Sequence, residues 1–135
     1  MCIRDSYTRQ FQLKHLPSGL CVEPVEEVTV KTGRVRLETC LATGSGKRQS
    51  WFLTDRREMV LARLLCLDCG KGTVRMMKCH EMGGEQEWWV KEEDGQGRTI
   101  YNMAAGQCLV EDRGYVAMDI CDENNSAVWK LVEST

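Results

Sequence analysis

Hydrophobic and polar residues alternate in short runs along most of this chain. In one run Val35 and Leu37 alternate with charged residues, and in another Val116, Met118 and Ile120 alternate with alanine and aspartate. A period of two residues places successive side chains on opposite faces of a half-buried β-strand. Because no window shows a sustained helical period, the pattern predicts an all-β protein.

Clusters of glycine, asparagine and aspartate separate these runs and are typical of turns. They fall at residues 43–46, 83–84, 94–95 and 122–125. The chain is therefore predicted to consist of many short strands joined by turns.

Three tryptophans mark an internal repeat. Trp51, Trp88 and Trp129 lie 37 and 41 residues apart, and a cysteine precedes each of them at spacings of 39 and 42 residues. A period near 40 residues indicates stacked or closed repeats, and three units are too few for a propeller, which needs about four blades. We therefore predict a closed structure with threefold symmetry, with repeats at about residues 8–53, 54–94 and 95–135. The tryptophans, which recur in every repeat, are predicted to be structural core residues.

Each repeat also contains one pair of cysteines in the same local setting. The pairs Cys21–Cys40, Cys66–Cys79 and Cys108–Cys121 are separated by 19, 13 and 13 residues, and the extra residues 23–32 account for the longest spacing. Closing a loop of this size stabilises a domain by roughly 3 kcal/mol in the chain-entropy model. We predict three disulfides within repeats, and so an oxidising compartment, with Cys2 and Cys69 left over.

A zinc site is the alternative for part of this cysteine pattern. Cys66, Cys69, Cys79 and His80 offer four soft ligands at suitable spacing. The other two repeats have no counterpart of Cys69 or His80, so a metal would explain one repeat whereas disulfides explain all three. We therefore favour disulfides and predict no metal.

Composition and charge exclude several classes of partner. The 135 residues, 42% hydrophobic and 28% charged, suit a single domain with one core. The net charge of −2 and the mixing of acidic with basic residues leave no basic stripe for nucleic acid. The longest apolar run, residues 59–67, is too short to span a bilayer, so we expect no membrane contact by this segment. Residues 1–7 fit no repeat and are left unassigned, as an N-terminal segment or a scar. The predicted domain therefore comprises residues 8–135.

Repeat two contains the most specific motif in the chain. Cys66-Leu67-Asp68 is followed by Cys79-His80 and then by Gly83-Gly84-Glu85-Gln86-Glu87-Trp88. This order resembles the Cys-Leu-Asp, Cys-His, Gly-Gly-Asn-Gln-x-Trp signature of the ricin-type (R-type) lectins of β-trefoil fold. It is most similar to the C-terminal lectin domain of the polypeptide N-acetylgalactosaminyltransferases, which start mucin-type O-glycosylation in the Golgi lumen. The resemblance extends over nearly all of residues 8–135.

The resemblance implies a carbohydrate site in repeat two. A sugar presents adjacent hydroxyls and an apolar face, so a site needs a fixed carboxylate, an amide and an apolar surface. Asp68, ionised at neutral pH, would accept two hydroxyl hydrogen bonds, and Gln86 would brace it. Met77 stands in the usually aromatic platform position, beside His80. Glu85 replaces the family's asparagine, which removes a donor and adds a second acid, so weaker or altered binding is expected.

The corresponding positions in the other repeats depart further from the signature. Repeat one has Glu23 in the carboxylate position and Glu38 in the platform position, whereas repeat three has Val110 and Asp119. A valine side chain accepts no hydrogen bond, so repeat three is predicted to be structural only.

Two functions from different classes follow. In the first, the chain is a lectin module that needs no cofactor, holds GalNAc or another sugar on a glycopeptide, and guides a transferase catalytic domain of the same parent chain. That domain is absent from this sequence, which contains no catalytic motif of its own, so the chain is not expected to be an enzyme by itself. In the second, it is a degenerate trefoil that serves as a structural or protein-interaction module, with Asp68 merely capping a turn.

The predicted location is the secretory pathway, either in the Golgi lumen or outside the cell. Asn124-Asn125-Ser126 matches the N-glycosylation sequon and adds slight support, since such triplets are common by chance.

Overall fold

The computed structural model describes residues 10–42, 48–61, 65–92 and 97–133. Cys2, the predicted turns at 43–46 and 94–95, and both ends of the predicted domain lie outside these ranges. Twelve strands make up about half of the described chain. They are β1 (Phe11–His15), β2 (Leu20–Pro24), β3 (Val35–Glu38), β4 (Trp51–Leu53), β5 (Met59–Leu61), β6 (Leu65–Asp68), β7 (Arg75–Lys78), β8 (Trp89–Glu92), β9 (Arg98–Asn102), β10 (Gln107–Asp112), β11 (Tyr115–Asp119) and β12 (Trp129–Glu133).

The strands form three successive sets of four, and the sheet closes on itself. The second and third strand of each set form a hairpin, and the first strand of the chain pairs with the last, from Phe11 opposite Glu133 to His15 opposite Trp129. The hairpins also contact one another, since β3 pairs with β11 and the Met76 N–H donates to Gly33 O at 3.0 Å. The prediction of a closed, all-β trefoil is confirmed.

Each tryptophan of the repeat is completely buried and makes the same hydrogen bond. The indole N–H donates to the backbone carbonyl of the residue that follows the first cysteine of its own repeat, which satisfies the one polar atom of the ring. The three bonds are Trp51 to Val22 at 3.1 Å, Trp88 to Leu67 at 2.9 Å and Trp129 to Leu109 at 3.0 Å. The repeated tryptophans thus tie each hairpin to the core.

The three predicted disulfides, Cys21–Cys40, Cys66–Cys79 and Cys108–Cys121, are confirmed. Each closes the open end of a hairpin. The bond between Cys66 and Cys79 removes two of the four ligands that the zinc alternative requires. Cys69 remains a free thiol and is 2% exposed.

Three details differ from the sequence pattern. Ile120 does not alternate inward: β11 ends at Asp119, and the Ile120 side chain is 72% exposed. Two of the residues predicted to be extra in repeat one, Glu23 and Pro24, belong to β2 and pair with β3. The extra residues therefore lie after Pro24, between these two strands. The predicted turn at 122–125 overlaps a single helical turn, α1 (Glu123–Ser126).

No helix within the described ranges is both long enough and apolar enough to cross a membrane.

Candidate functional site

Asp68, the predicted carboxylate, is the last residue of β6 and is only 5% exposed. Its Oδ1 accepts the Gly70 N–H at 2.7 Å and Arg75 Nε at 3.2 Å, and its Oδ2 accepts Gln86 Nε2 at 3.0 Å. A carboxylate has about four acceptor positions. The fold therefore occupies three of them and leaves one for a ligand, where the sequence suggested two.

Gln86 connects Asp68 to the disulfide. Its Nε2 donates to Asp68 Oδ2 and to Lys78 O at 2.9 Å, while its Oε1 accepts the His80 N–H at 3.1 Å. The side chain thus binds the backbone on both sides of Cys79 and fixes the orientation of the carboxylate. Its bracing role, expected from the family resemblance, has a direct geometric basis here.

Arg75 belongs to this cluster and was missed by the sequence reasoning. It lies opposite Asp68 in the β6–β7 register, and the pair forms a salt bridge at 3.2 Å. Gly70 makes room for it, because a Cβ at that position would lie 2.7 Å from Arg75 Nη2. A signal was present in the sequence: repeats one and two both have an arginine, Arg36 or Arg75, four residues before the second cysteine.

Met77 and His80 lie at the surface beside the carboxylate. Met77 is half-buried and lies opposite Cys66 in the hairpin. His80 is exposed, and its Nδ1 accepts the Met82 N–H at 3.0 Å. A neutral His80 therefore carries its proton on Nε2, where it can donate to a ligand.

Glu85 is exposed at the edge of the same cluster. Its backbone carbonyl accepts the Cys69 N–H at 3.1 Å, and its carboxylate makes no hydrogen bond with any residue that the structure describes. Burial, together with the charges of Asp68 and Glu85, raises the pKa of the Cys69 thiol to about 12. Cys69 thus stays protonated at neutral pH and lacks the thiolate that a nucleophile or metal ligand requires.

In repeat one the equivalent carboxylate is enclosed by cations. Glu23 is 4% exposed, and its Oε2 accepts Arg36 Nη2 at 3.0 Å and Arg48 Nη2 at 3.4 Å. Gln49 Nε2 donates to the other oxygen of Glu23 at 3.0 Å, which repeats the Gln86–Asp68 bond. Two guanidinium groups on one carboxylate suit a structural role better than sugar recognition.

In repeat three the carboxylate, glutamine and arginine are replaced together. Val110, Ala127 and Ala117 occupy the positions of Asp68, Gln86 and Arg75. The backbone N–H that follows the second cysteine, that of Asp122, donates instead to Ser126 Oγ at 3.1 Å. The three charged or polar side chains therefore form one unit that is kept or lost as a whole.

The sequon residue Asn124 lies on α1 and is exposed, whereas Ser126 is 1% exposed. N-glycosylation at Asn124 stays a prediction.

Comparison with known proteins agrees with this geometry. The family model described as ricin-type beta-trefoil lectin domain matches residues 9–130. Polypeptide N-acetylgalactosaminyltransferase 11 of Xenopus tropicalis is 31% identical over 137 aligned positions, which include 95% of this chain. The chain spans only 22% of the length of that relative.

Two solved structures share the fold. The β-trefoil lectin of the Vibrio vulnificus hemolysin/cytolysin, determined with N-acetyl-D-lactosamine bound, superposes with a TM-score of 0.70 at 20% identity, covering 94% of this chain and 96% of that one. GalNAc-T7 with UDP, GalNAc and Mn²⁺ superposes with a TM-score of 0.74 at 16% identity, covering 95% of this chain and 23% of that one.

Proposed function

This chain belongs to the family of ricin-type β-trefoil lectin domains, and we propose that its repeat two binds GalNAc on O-glycosylated peptides. Asp68 accepts a sugar hydroxyl, Met77 lies under the apolar face of the ring, and His80 donates from Nε2. Glu85 replaces an amide with an acid at the edge of the site, so it limits affinity.

The bond from Gln86 to Asp68 carries this proposal. It holds Oδ2 in a fixed direction at 3.0 Å from the amide, with one acceptor position unused. A preorganised acceptor loses little entropy when a hydroxyl binds, and a hydrogen bond to a charged group is stronger than one between neutral groups. The identity of 31% to a polypeptide N-acetylgalactosaminyltransferase supports GalNAc as the sugar.

The wider role follows from the same relative. We propose that the module belongs to a parent transferase in the Golgi lumen, where it holds a peptide that already carries GalNAc. Tethering would then direct the catalytic domain to nearby Ser or Thr, and a weak site suffices because the second binding event occurs within one complex. The three disulfides support a compartment of the secretory pathway.

The hydrogen bonds of Asp68 also support a second candidate function. Asp68 already accepts three hydrogen bonds within the protein, one of them in a turn to Gly70. A carboxylate used in this way suits a structural or protein-interaction module that no longer binds sugar.

An NMR titration with GalNAc and with a GalNAc-bearing peptide separates the two candidates, with the unglycosylated peptide as a control. The lectin function predicts saturable shifts at the amides of Asp68, His80 and Glu85, with a dissociation constant of about 1 mM, and loss of these shifts in Asp68→Asn. The matched variant Asp119→Asn, in repeat three, keeps them. Glu85→Asn restores an amide and strengthens binding. Absence of shifts up to about 50 mM in a folded sample would establish the structural module instead.

A further inference from the structure

A cavity of about 520 Å³ lies over the β10–β11 hairpin of repeat three, where the lectin carboxylate is missing. Val110, Met118 and Val128 contribute apolar side chains to its lining, and these three residues are called its apolar floor below. Val110 and Val128 are 5% and 7% exposed. Loss of the polar cluster has therefore left apolar side chains in a concave part of this repeat's surface.

The rim of this cavity is acidic. Glu111, Asp112 and Asp119 all line it, and no lysine or arginine of the described chain does. Glu111 Oε2 accepts the Gly114 N–H and Asp119 Oδ1 accepts the Ile120 N–H, but none of the three carboxylates forms an ion pair with a residue that the structure describes. In the other two repeats, by contrast, arginines form ion pairs with the carboxylates of Glu23 and Asp68.

His15 adds a polar side chain to the same cavity. The residue is 7% exposed and lines the cavity, and its Nδ1 lies 2.8 Å from Ser18 Oγ. The second ring nitrogen, Nε2, makes no hydrogen bond with any described residue, so it can bond a polar group of a ligand.

We propose that the repeat-three cavity binds a basic peptide segment, with the aliphatic stem of a lysine or arginine on the apolar floor and the cationic head groups at Asp112 and Asp119. Long basic side chains combine an apolar stem with a charged end, which matches an apolar floor with an acidic rim. His15 Nε2 would bond the peptide backbone. This binding is independent of the sugar site in repeat two.

The register of the hairpin sets the spacing of the basic residues. Asp119 lies opposite Cys108, which is four residues from Asp112 along β10. Strands rise about 3.4 Å per residue, so the two aspartates lie roughly 14 Å apart along the hairpin. An extended peptide covers that distance in about four residues, and the peptide Ac-Lys-Gly-Gly-Gly-Lys-NH₂ therefore fits both ends of the cavity.

The test is an NMR titration of the whole chain with this peptide and with its norleucine counterpart, which keeps the stems and removes both charges. The lysine peptide is expected to give saturable shifts at the amides of His15, Asp112 and Asp119. Each of Asp112→Asn and Asp119→Asn should weaken binding by about fivefold, and raising the salt to about 1 M should weaken it further. Glu27→Gln, which removes the same charge from repeat one, away from this cavity, should have no effect.

Equal binding of the norleucine peptide would overturn the proposal, because the carboxylates would then contribute nothing. The proposal also fails if the lysine peptide causes no saturable shift, or if GalNAc rather than the peptide shifts these amides. The sugar site is read from the amides of Asp68, His80 and Glu85, so failure at one repeat is distinguishable from failure at the other.

Discussion

Asp68 and Arg75 face each other across the β6–β7 hairpin, and Arg75 Nε donates to Asp68 Oδ1 at 3.2 Å. The Asp68 side chain is 7% exposed and the Arg75 side chain 23%. Removing one member of such a pair leaves the other with poor hydration and no counter-charge, so a single substitution is more costly than the net contribution of the pair.

We expect Arg75→Ala to lower the free energy of unfolding by about 1–3 kcal/mol, because Asp68 is left buried without its cation. In the double variant Asp68→Val with Arg75→Ala, the loss should be smaller than the sum of the two single losses. Urea unfolding of the four proteins in this cycle measures the coupling. Strictly additive losses would show that the pair does not act as a unit.

Repeat three supplies a complete uncharged replacement for the cluster. Transferring it to repeat two requires four changes: Asp68→Val, Arg75→Ala, Glu85→Ser and Gln86→Ala. We expect this variant to be more stable than Asp68→Val alone, since the serine introduced at position 85 would accept the His80 N–H as Ser126 accepts that of Asp122. The same urea experiment tests this. A quadruple variant less stable than the single one would contradict the equivalence of the two repeats.

Cys69 should be inert in the folded protein. Its thiol is 2% exposed, and burial with two neighbouring carboxylates raises its pKa to about 12. Iodoacetamide at pH 8 should therefore leave Cys69 unmodified in native protein and modify it fully in urea, because the thiolate is the reactive species. The measurement uses the Cys2→Ser variant, in which Cys69 is the one cysteine outside the three disulfides. Mass spectrometry then measures the modification of Cys69. Rapid modification under native conditions would contradict the burial seen here.

His15 should make stability depend on pH. Burial lowers its pKa from 6.5, an effect partly opposed by the charge of Glu111, so the folded state holds the neutral ring. The unfolded chain takes up the proton first as the pH falls. The stability contribution is therefore present above about pH 6.5 and is lost as the pH falls from there toward the lowered folded pKa.

The variant His15→Asn isolates this effect, since Asn102 occupies the corresponding end of β9. Between about pH 7.5 and pH 5.5, urea unfolding should show the original protein losing stability relative to the variant. His80 is present in both proteins and cancels in the difference. Parallel pH profiles would rule out His15 as the source.

The repeat framework could be predicted from sequence because its markers are strong and local. The tryptophans and paired cysteines occur once per repeat, and alternating residues such as Val35 and Leu37 mark strands directly. Burial of Ile120 was predicted wrongly because alternation does not reveal where a strand ends, and the chain leaves β11 at Asp119.

The composition of the site was harder to predict. Arg75 contacts Asp68 because the two residues lie opposite each other in the β6–β7 hairpin. This register is set by the pairing of the two strands and is not visible in the sequence of either strand alone. The cavity of repeat three was missed for a related reason: Val110 was interpreted only as a lost carboxylate, whereas the surrounding shape depends on β11 and on His15 from the start of the chain.

The antiparallel pairing of β1 with β12 has a consequence for the connectivity of the chain. Since Phe11 lies beside Glu133, the two ends of the described domain meet within one sheet. The succession of strands is therefore a ring, and opening it at an exposed turn instead of between β12 and β1 removes no strand pairing. A circular permutant with a linker joining the present ends, and new ends in the exposed turn at 55–56, should keep all three disulfides and the same fold.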